Sequence, residues 1–217
     1  MISDKSKKNK DTVIIIPAKD EFNNLKKLLK NILSKKIDTI IIDDNSKDKT
    51  FSLDKIFKKI LILKNKKSLG YDNSIKKGLR YAKKRYSYAI TMDADLEHDP
   101  KYLFKIIKNL KGGHKIVVGE RDRKNRYLEI LLSNFIKNFY GINDLFSGYR
   151  GINLNILDKK LFNKKFEMPY IIFHLHNKYK NTKNIKIICK KRIGKSRFGS
   201  LLKGNTKILS QFIKIFS

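Results

Sequence analysis

With 217 residues, of which 41% are hydrophobic, the chain can bury a full core, and its length favours a single domain. Lys and Arg total 51 against 20 Asp and Glu, which gives a formal net charge of +31. This charge attracts anionic partners such as nucleic acid, an anionic membrane face or a phosphorylated substrate, and charge alone does not distinguish among them. A single cysteine, Cys189, excludes an intrachain disulfide and a Cys-rich zinc site, and no run is apolar enough for a signal peptide or a membrane span, which favours a soluble or peripheral protein of the reducing cytoplasm.

Short β-branched runs alternate with amphipathic helical stretches along the chain, which predicts an α/β fold. The runs are nearly continuous in Ile and Val, as in a mostly parallel sheet covered by helices on both faces. We divide the chain into a basic polar N-terminal tail (1–11), an α/β domain (12–199) and a C-terminal amphipathic helix (200–217). Predicted strands lie at 13–16, 39–42, 60–63, 88–92, 116–118 and 185–188, and predicted helices at 20–33, 72–85, 100–110, 126–140 and 169–179 and in the last segment.

Two polar clusters follow the first two predicted strands, at the strand ends where open α/β sheets bind ligands. The first runs from Pro17 to Glu21 and the second from Asp43 to Ser46. Asp, Asn and Ser also favour turns and helix caps, so either cluster taken alone indicates a turn rather than a site. Asp20 is expected to cap the first helix.

A third cluster, from Asp93 to Asp99, follows the predicted strand at 88–92. Alternate residues of an extended segment face the same side, so Asp93, Asp95 and Glu97 can converge on a hard cation such as Mg²⁺ or Mn²⁺. Such a cation would neutralise charge on a departing nucleoside diphosphate. The alternative is a solvated acidic loop ahead of the helix at Pro100, but four acids within seven positions of an acid-poor chain favour a functional site. His98 could contact the site or only order the loop.

Two further clusters have more than one interpretation. In the segment 144–150, Asp144 could act as a base or orient an acceptor. In the segment 192–199, Arg192, Lys195 and Arg197 combine with two glycines in a composition that suits a phosphate clamp, although one more basic loop in a basic protein is the simpler interpretation.

Taken in order, these segments resemble family 2 glycosyltransferases, and most closely the dolichyl-phosphate mannose synthases and bacterial polyprenyl-phosphate sugar synthases. The segment at 92–100 is similar to the Asp-Ala-Asp-x-x-His-x-Pro motif of that family almost residue for residue. Several motifs in the same order are far less probable by accident than any one of them. The matching segments are 13–21, 42–50, 69–78, 92–100, 118–121, 144–150 and 192–198.

The resemblance implies a GT-A fold and an inverting transfer of a sugar from a nucleotide-sugar donor, GDP-mannose or a UDP-hexose, to a dolichyl or undecaprenyl phosphate. By the same resemblance, Asp93, Asp95 and Glu97 would hold Mg²⁺ or Mn²⁺, and Asp95, Arg121 and Asp144 would act in catalysis. The implied nucleotide-binding residues are Pro17, Ala18, Glu21, Asp43, Asp44 and Asp93, and the implied phosphate-binding residues are Arg121, Arg192, Lys195 and Arg197.

Three departures from the family pattern leave the donor sugar and the acceptor open. His176 occupies the place of a common Glu, Glu97 that of a common Gln or Ser, and the region between Arg121 and Asp144 lacks the Gly-rich insertion common in mannosyl members. One alternative is a family 2 enzyme with a saccharide acceptor in capsule or envelope glycan assembly, which would need a base such as Asp144. A more distant alternative is a nucleic-acid-binding protein, but no nucleic-acid motif is present, so we expect no nucleic acid among the partners.

The last predicted helix could bring the protein to a membrane from the cytoplasmic side. Its apolar and basic residues alternate in a pattern that suits an anionic membrane surface, and apolar residues of the 126–140 helix could join it. The alternative for both helices is ordinary packing on the domain. The residues concerned are Ile208, Leu209, Phe212, Ile213, Ile215 and Phe216 with Lys203, Lys207 and Lys214, and Phe135, Ile136 and Phe139.

Overall fold

A seven-stranded sheet forms the centre of the computed structural model, which describes residues 11–124, 126–163, 165–190 and 201–216. The strands are β1 (Thr12–Ala18), β2 (Asp38–Asp43), β3 (Ile60–Lys64), β4 (Tyr88–Thr91), β5 (Ile116–Arg121), β6 (Arg150–Asn153) and β7 (Thr182–Ile187). Their order across the sheet is β3-β2-β1-β4-β6-β5-β7. Neighbouring strands are parallel except at β6, which runs antiparallel to β4 and β5. The predicted mostly parallel sheet is confirmed, and β6 is the strand that was not predicted.

Helices cover both faces of the sheet. One face packs against α1 and α4, and the other packs against α3, α5, α6 and α7. The helices are α1 (Phe22–Leu33), α2 (Leu53–Ile56), α3 (Tyr71–Lys83), α4 (Leu103–Lys111), α5 (Tyr127–Tyr140), α6 (Met168–Tyr179) and α7 (Leu201–Phe216). Among the described residues, none of these helices is both long enough and apolar enough to cross a membrane.

The central strand β1 shows why its sequence is apolar at successive positions. Val13 and Ile15 point into the core beneath α3, whereas Ile14 and Ile16 point into the core beneath α1 and α4. All four side chains are fully buried. Because side chains alternate between the faces of a strand, only a strand covered on both sides needs four apolar residues in a row. In β1 the one polar side chain, Thr12, is therefore at the end of the strand.

Strand β6 was not predicted because its sequence lacks the signal of a strand. It is four residues long and contains Gly151, and short strands with glycine are disfavoured by propensity. The glycine is needed here because a Cβ at this position would lie 2.4 Å from Cγ2 of Ile106 and 2.9 Å from Cδ1 of Leu110. Close packing of α4 on the sheet therefore outweighs local propensity.

Candidate functional site

A cleft of about 260 Å³ lies at the carboxyl ends of β1, β2 and β4. Three of its walls come from the loops that follow these strands, a fourth from the segment before α3, and the last from α7. This is the edge of the sheet at which the sequence predicted a site. The lining residues are Pro17, Lys19, Glu21, Asp44, Ser68, Gly70, Tyr71, Asp93, Ala94, Asp95 and Lys207.

The loops after β1 and β2 are tied together by hydrogen bonds. Oδ1 of Asp20, a residue with a left-handed backbone (φ 55°), accepts from the amide of Lys47 at 2.6 Å, and Oγ of Ser46 accepts from the amide of Asp20 at 2.9 Å. Oδ2 of Asp48 accepts from the amide of Phe22 at the start of α1, at 2.9 Å. The expectation that Asp20 caps α1 is therefore wrong, because the cap comes from Asp48 in the neighbouring loop.

Asp44 is the organising carboxylate of the cleft. It accepts hydrogen bonds from the amides of Leu69 and Gly70, at 2.7 and 3.0 Å, and from Nδ2 of Asn65 and Oγ of Ser68, both at 2.8 Å. Burial opposes ionisation, but these hydrogen bonds outweigh it and lower the pKa of Asp44. Asp44 is thus a fixed negative charge that shapes the segment before α3.

Two residues expected at the nucleotide lie behind the cleft. Ala18 and Asp43 are fully buried and do not line it. Oδ1 of Asp43 accepts from the amide of Ser46 at 2.9 Å. Of the residues implied to bind the nucleotide, those that line the cleft are Pro17, Glu21, Asp44 and Asp93.

The acidic loop brings the carboxylates of Asp93 and Asp95 to the cleft, but not that of Glu97. Oδ1 of Asp93 accepts from the hydroxyl of Tyr71 at 2.8 Å, and Oδ1 of Asp95 accepts from the amide of Glu97 at 3.1 Å. Leu96 has a left-handed backbone (φ 67°), so the extended alternation on which the prediction relied ends before Glu97. Glu97 does not line the cleft.

The donor set of the cleft fits a hard divalent cation in part. Asp93 and Asp95 supply carboxylate oxygens, the ligand type that Mg²⁺ and Mn²⁺ prefer. Within residues 11–124, 126–163, 165–190 and 201–216, no three His, Cys, Asp or Glu side chains form a group suited to hold a metal ion. A cation here would therefore take oxygens from a bound ligand in addition to these two carboxylates.

His98 orders the acidic loop from the inside. It is buried, its ring stacks on Tyr149 with centroids 5.0 Å apart, and its Nδ1 accepts from the amide of Asp93 at 3.3 Å. Burial lowers the pKa of His98, although the charge of Asp93 opposes this. The structure favours the loop-ordering role among the two considered for this residue.

Gly148 lies directly behind Asp93, and we expect Gly148→Ala to lower the activity that depends on the cleft by about 100-fold. A Cβ at this position would lie 2.6 Å from both carboxylate oxygens of Asp93 and 2.8 Å from the hydroxyl of Tyr71, so Asp93 would have to move. The measurement is kcat/KM of that activity. Gly112→Ala, at the end of α4 and away from the cleft, is the control. Unchanged kinetics in Gly148→Ala would show that the position of Asp93 is unimportant.

Arg121 is engaged by two buried carboxylates. Its Nε and Nη2 donate to the two oxygens of Asp144 at 2.8 and 2.9 Å, and Nη2 also donates to Glu129. Asp144 is fully buried and Glu129 nearly so. Burial alone would lower the pKa of Arg121, but the charges and hydrogen bonds of Asp144 and then of Glu129 outweigh burial. The pKa of Arg121 is therefore raised well above its ordinary value. None of the three lines the cleft, so this triad holds the end of β5, the start of α5 and the 144–150 loop together.

Sequence reasoning missed Glu129 as the second partner of Arg121, and Lys207 and Tyr71 as lining residues. A lone acid among apolar residues in the first turn of α5 was the available signal for Glu129. Lys207 reaches the cleft from α7 through tertiary packing, and its Nζ lies 4.0 Å from Oδ2 of Asp72. No local pattern indicates that placement.

The predicted phosphate clamp of Arg192, Lys195 and Arg197 lies outside the described residues. The described chain leads toward it from beside the acidic loop. The amide of Lys190 donates to the carbonyl oxygen of Glu97 at 2.9 Å, and its Nζ lies 3.1 Å from Oδ2 of Asp99.

Solved structures with the same architecture define the class of the fold. Glucosyl-3-phosphoglycerate synthase from Mycobacterium tuberculosis, solved with UDP, covers 95% of this chain and 80% of its own at a TM-score of 0.73 and 11% identity. The same enzyme solved with Mn²⁺, UDP-glucose and phosphoglyceric acid gives a TM-score of 0.74 over the same shares, also at 11% identity. The fold is therefore the GT-A fold of nucleotide-sugar glycosyltransferases, as the resemblance implied.

Sequence comparison then gives the family. The model of glycosyl transferase family 2 matches residues 13–165, and the chain belongs to this family. A protein of uncharacterized function from Methanocaldococcus jannaschii is 29% identical over 74% of this chain and 79% of its own. The UDP-N-acetylglucosamine–dolichyl-phosphate N-acetylglucosaminyltransferase of Methanococcus voltae is 29% identical over 71% and 75%. A dolichol-phosphate mannosyltransferase of Pyrococcus furiosus is 28% identical over 54% of this chain and 34% of its own.

Proposed function

We propose that the chain is an inverting, metal-dependent hexosyltransferase that moves a sugar from a nucleotide-sugar donor to a polyprenyl phosphate. The observation that carries the proposal is the strand-end cleft, which combines Asp44, Asp93 and Asp95 with Lys207. Two relatives whose names include a dolichyl or dolichol phosphate support the acceptor class. The donor would be GDP-mannose or a UDP-hexose.

The donor's nucleotide would lie against Pro17, Glu21 and Asp44 at the ends of β1 and β2. Asp93 and Asp95 would hold Mg²⁺ or Mn²⁺ together with the diphosphate oxygens. Such a cation would neutralise charge on the departing nucleoside diphosphate. The structure of the related fold with Mn²⁺ and UDP-glucose supports this assignment.

The acceptor needs positioning more than a base. A phosphate monoester has a second pKa of about 6, so its oxygen is already anionic near neutral pH. This oxygen attacks the anomeric carbon from the face opposite the nucleotide, and the bond from that carbon to the nucleoside diphosphate breaks as the new one forms. Lys207 lines the cleft and would screen the charge of the acceptor phosphate. Arg192, Lys195 and Arg197 would join it.

Asp144 fits an orienting role better than a basic one. It is fully buried, and both of its oxygens accept hydrogen bonds from Arg121. A general base has to reach the proton that it removes. This observation favours the phosphate acceptor over the saccharide alternative. We place the enzyme at the cytoplasmic, inner face of a membrane, where an anionic lipid acceptor would be met.

The test is sugar transfer from a panel of radiolabelled UDP- and GDP-sugars to polyprenyl phosphate in detergent, with Mn²⁺ or with EDTA. We expect label from one donor to enter the organic phase only when metal is present. A soluble oligosaccharide offered in parallel is the control acceptor. Label that enters the oligosaccharide and never the lipid would overturn the acceptor and leave the donor site intact.

A further inference from the structure

An apolar surface covers the outer side of α5 and α7. Of the thirteen large hydrophobic side chains that are exposed among the described residues, eight belong to these two helices. On α5 four of the five exposed residues recur every fourth position and form one ridge, and on α7 the exposed residues recur at helical spacing beside it. We call this surface the α5–α7 face. It consists of Tyr127, Leu131, Phe135 and Phe139 with Leu209, Ile213 and Phe216.

The two ridges of the α5–α7 face form one continuous surface. The ring of Phe135 lies 5.7 Å from that of Phe212 and 6.3 Å from that of Phe216, measured between centroids. Phe139 is 71% exposed and Ile213 is 57% exposed. Contiguous exposed apolar surface of this kind marks an interaction site, because water disfavours it unless it is covered.

The charges on α5 and α7 indicate which kind of partner covers the α5–α7 face. The sequence of α7 contains no acid, and the one acid of α5, Glu129, is buried against Arg121. Lys137 and Lys214 flank the apolar residues with side chains that are 49% and 48% exposed, and each has one acid of the domain within 4.0 Å. The chain as a whole carries a net charge of +31. An apolar strip with a cationic border suits the surface of an anionic bilayer.

We propose that the α5–α7 face docks the enzyme on an anionic lipid bilayer, with Phe139 and Ile213 inserted among the lipids. A second copy of the chain suits the face less well, because a symmetric contact would bring the two cationic borders together. The inference deepens the proposed function and rests on it, because the membrane-bound acceptor of that function is what docking would bring within reach.

Docking through α7 also connects the membrane with the cleft. Lys207 lines the cleft, whereas Leu209, two residues later, belongs to the exposed face. Two residues correspond to about 200° of rotation and about 3 Å of rise, so the same turn of α7 has one side toward the cleft and one toward lipid. A phosphate at the membrane surface would thus lie close to the mouth of the cleft.

The experiment is co-sedimentation of the full chain with phosphatidylcholine vesicles that contain phosphatidylglycerol and no polyprenyl phosphate, in low and in high salt. The double variant Phe139→Ser, Ile213→Ser removes two lipid-facing groups and keeps every charge. We expect the affinity of the double variant for the vesicles to be at least about tenfold lower than that of wild type. The difference should be largest in high salt, where charge attraction is screened. The matched control is Phe104→Ser, which removes a 54% exposed phenylalanine from α4.

Each outcome decides between alternatives. Equal binding of wild type and double variant would overturn the proposal, as would a wild-type dimer in light scattering that the double variant abolishes. Transfer to detergent-solubilised acceptor should be unchanged in the double variant. Vesicle binding without any sugar transfer would overturn the proposed function and leave the docking surface standing.

Discussion

Asp95→Ala should lower kcat/KM for sugar transfer by about 10²- to 10³-fold, which is the usual cost of losing one group that stabilises charge in the transition state. Asp95 lines the cleft beside Asp93 and is the second carboxylate available to a divalent cation there. Under the proposed function, charge on the departing nucleoside diphosphate would be poorly neutralised without it. The measurement is transfer kinetics at saturating Mn²⁺, together with calorimetric binding of the nucleoside diphosphate.

The control for this variant is Asp54→Ala, which removes an exposed acid from α2 outside the cleft. It changes net charge by the same amount and should leave kcat/KM unchanged. Asp95→Asn keeps the shape of the side chain and removes its charge, so it should resemble Asp95→Ala in transfer. Wild-type kinetics in Asp95→Asn would contradict a metal-binding role.

Asp144→Ala should reduce the free energy of unfolding by about 3–5 kcal/mol, the usual cost of breaking a buried ion pair from one side. The substitution leaves Arg121 buried with only Glu129 as a partner, because both oxygens of Asp144 accept from that guanidinium. Urea denaturation measures the loss. The triple variant Asp144→Ala, Arg121→Met, Glu129→Gln removes every charge of the triad and should recover part of the stability.

The same residue separates positioning from base catalysis. Asp144→Asn should slow transfer but leave the pH dependence of kcat unchanged, because the acceptor phosphate ionises without a general base. A general base would instead remove one limb of the pH profile when it is replaced. Loss of that limb, with stability unchanged, would support the saccharide alternative.

Much of the fold followed from hydrophobic pattern. Six of the seven strands were predicted, and the clearest were β1 and β2, because strands covered on both faces require continuous apolar runs. Strand β6 escaped because Gly151 serves packing against α4 and not strand propensity. The cap of α1 was misassigned to Asp20 because the residue that fills this role, Asp48, lies in another loop.

The candidate site was predictable as far as the chain itself brings residues to the strand ends. Loop position was enough for Asp44, Asp93 and Asp95, which line the cleft. The direction of the Glu97 side chain could not be predicted in the same way, because the left-handed backbone of Leu96 interrupts the expected alternation. Contributions from distant segments, Lys207 on α7 and Glu129 on α5, depend on tertiary packing that no short spacing encodes.

The chemical identity of the lipid product tests the central claim most directly. Mass spectrometry of the organic phase, after incubation with the active donor and Mn²⁺, should find the acceptor heavier by one glycosyl residue and no added phosphate. The aqueous phase should contain an equal amount of nucleoside diphosphate. A lipid that gains a sugar phosphate with release of nucleoside monophosphate, or an acceptor that receives the nucleotide itself, would contradict glycosyl transfer.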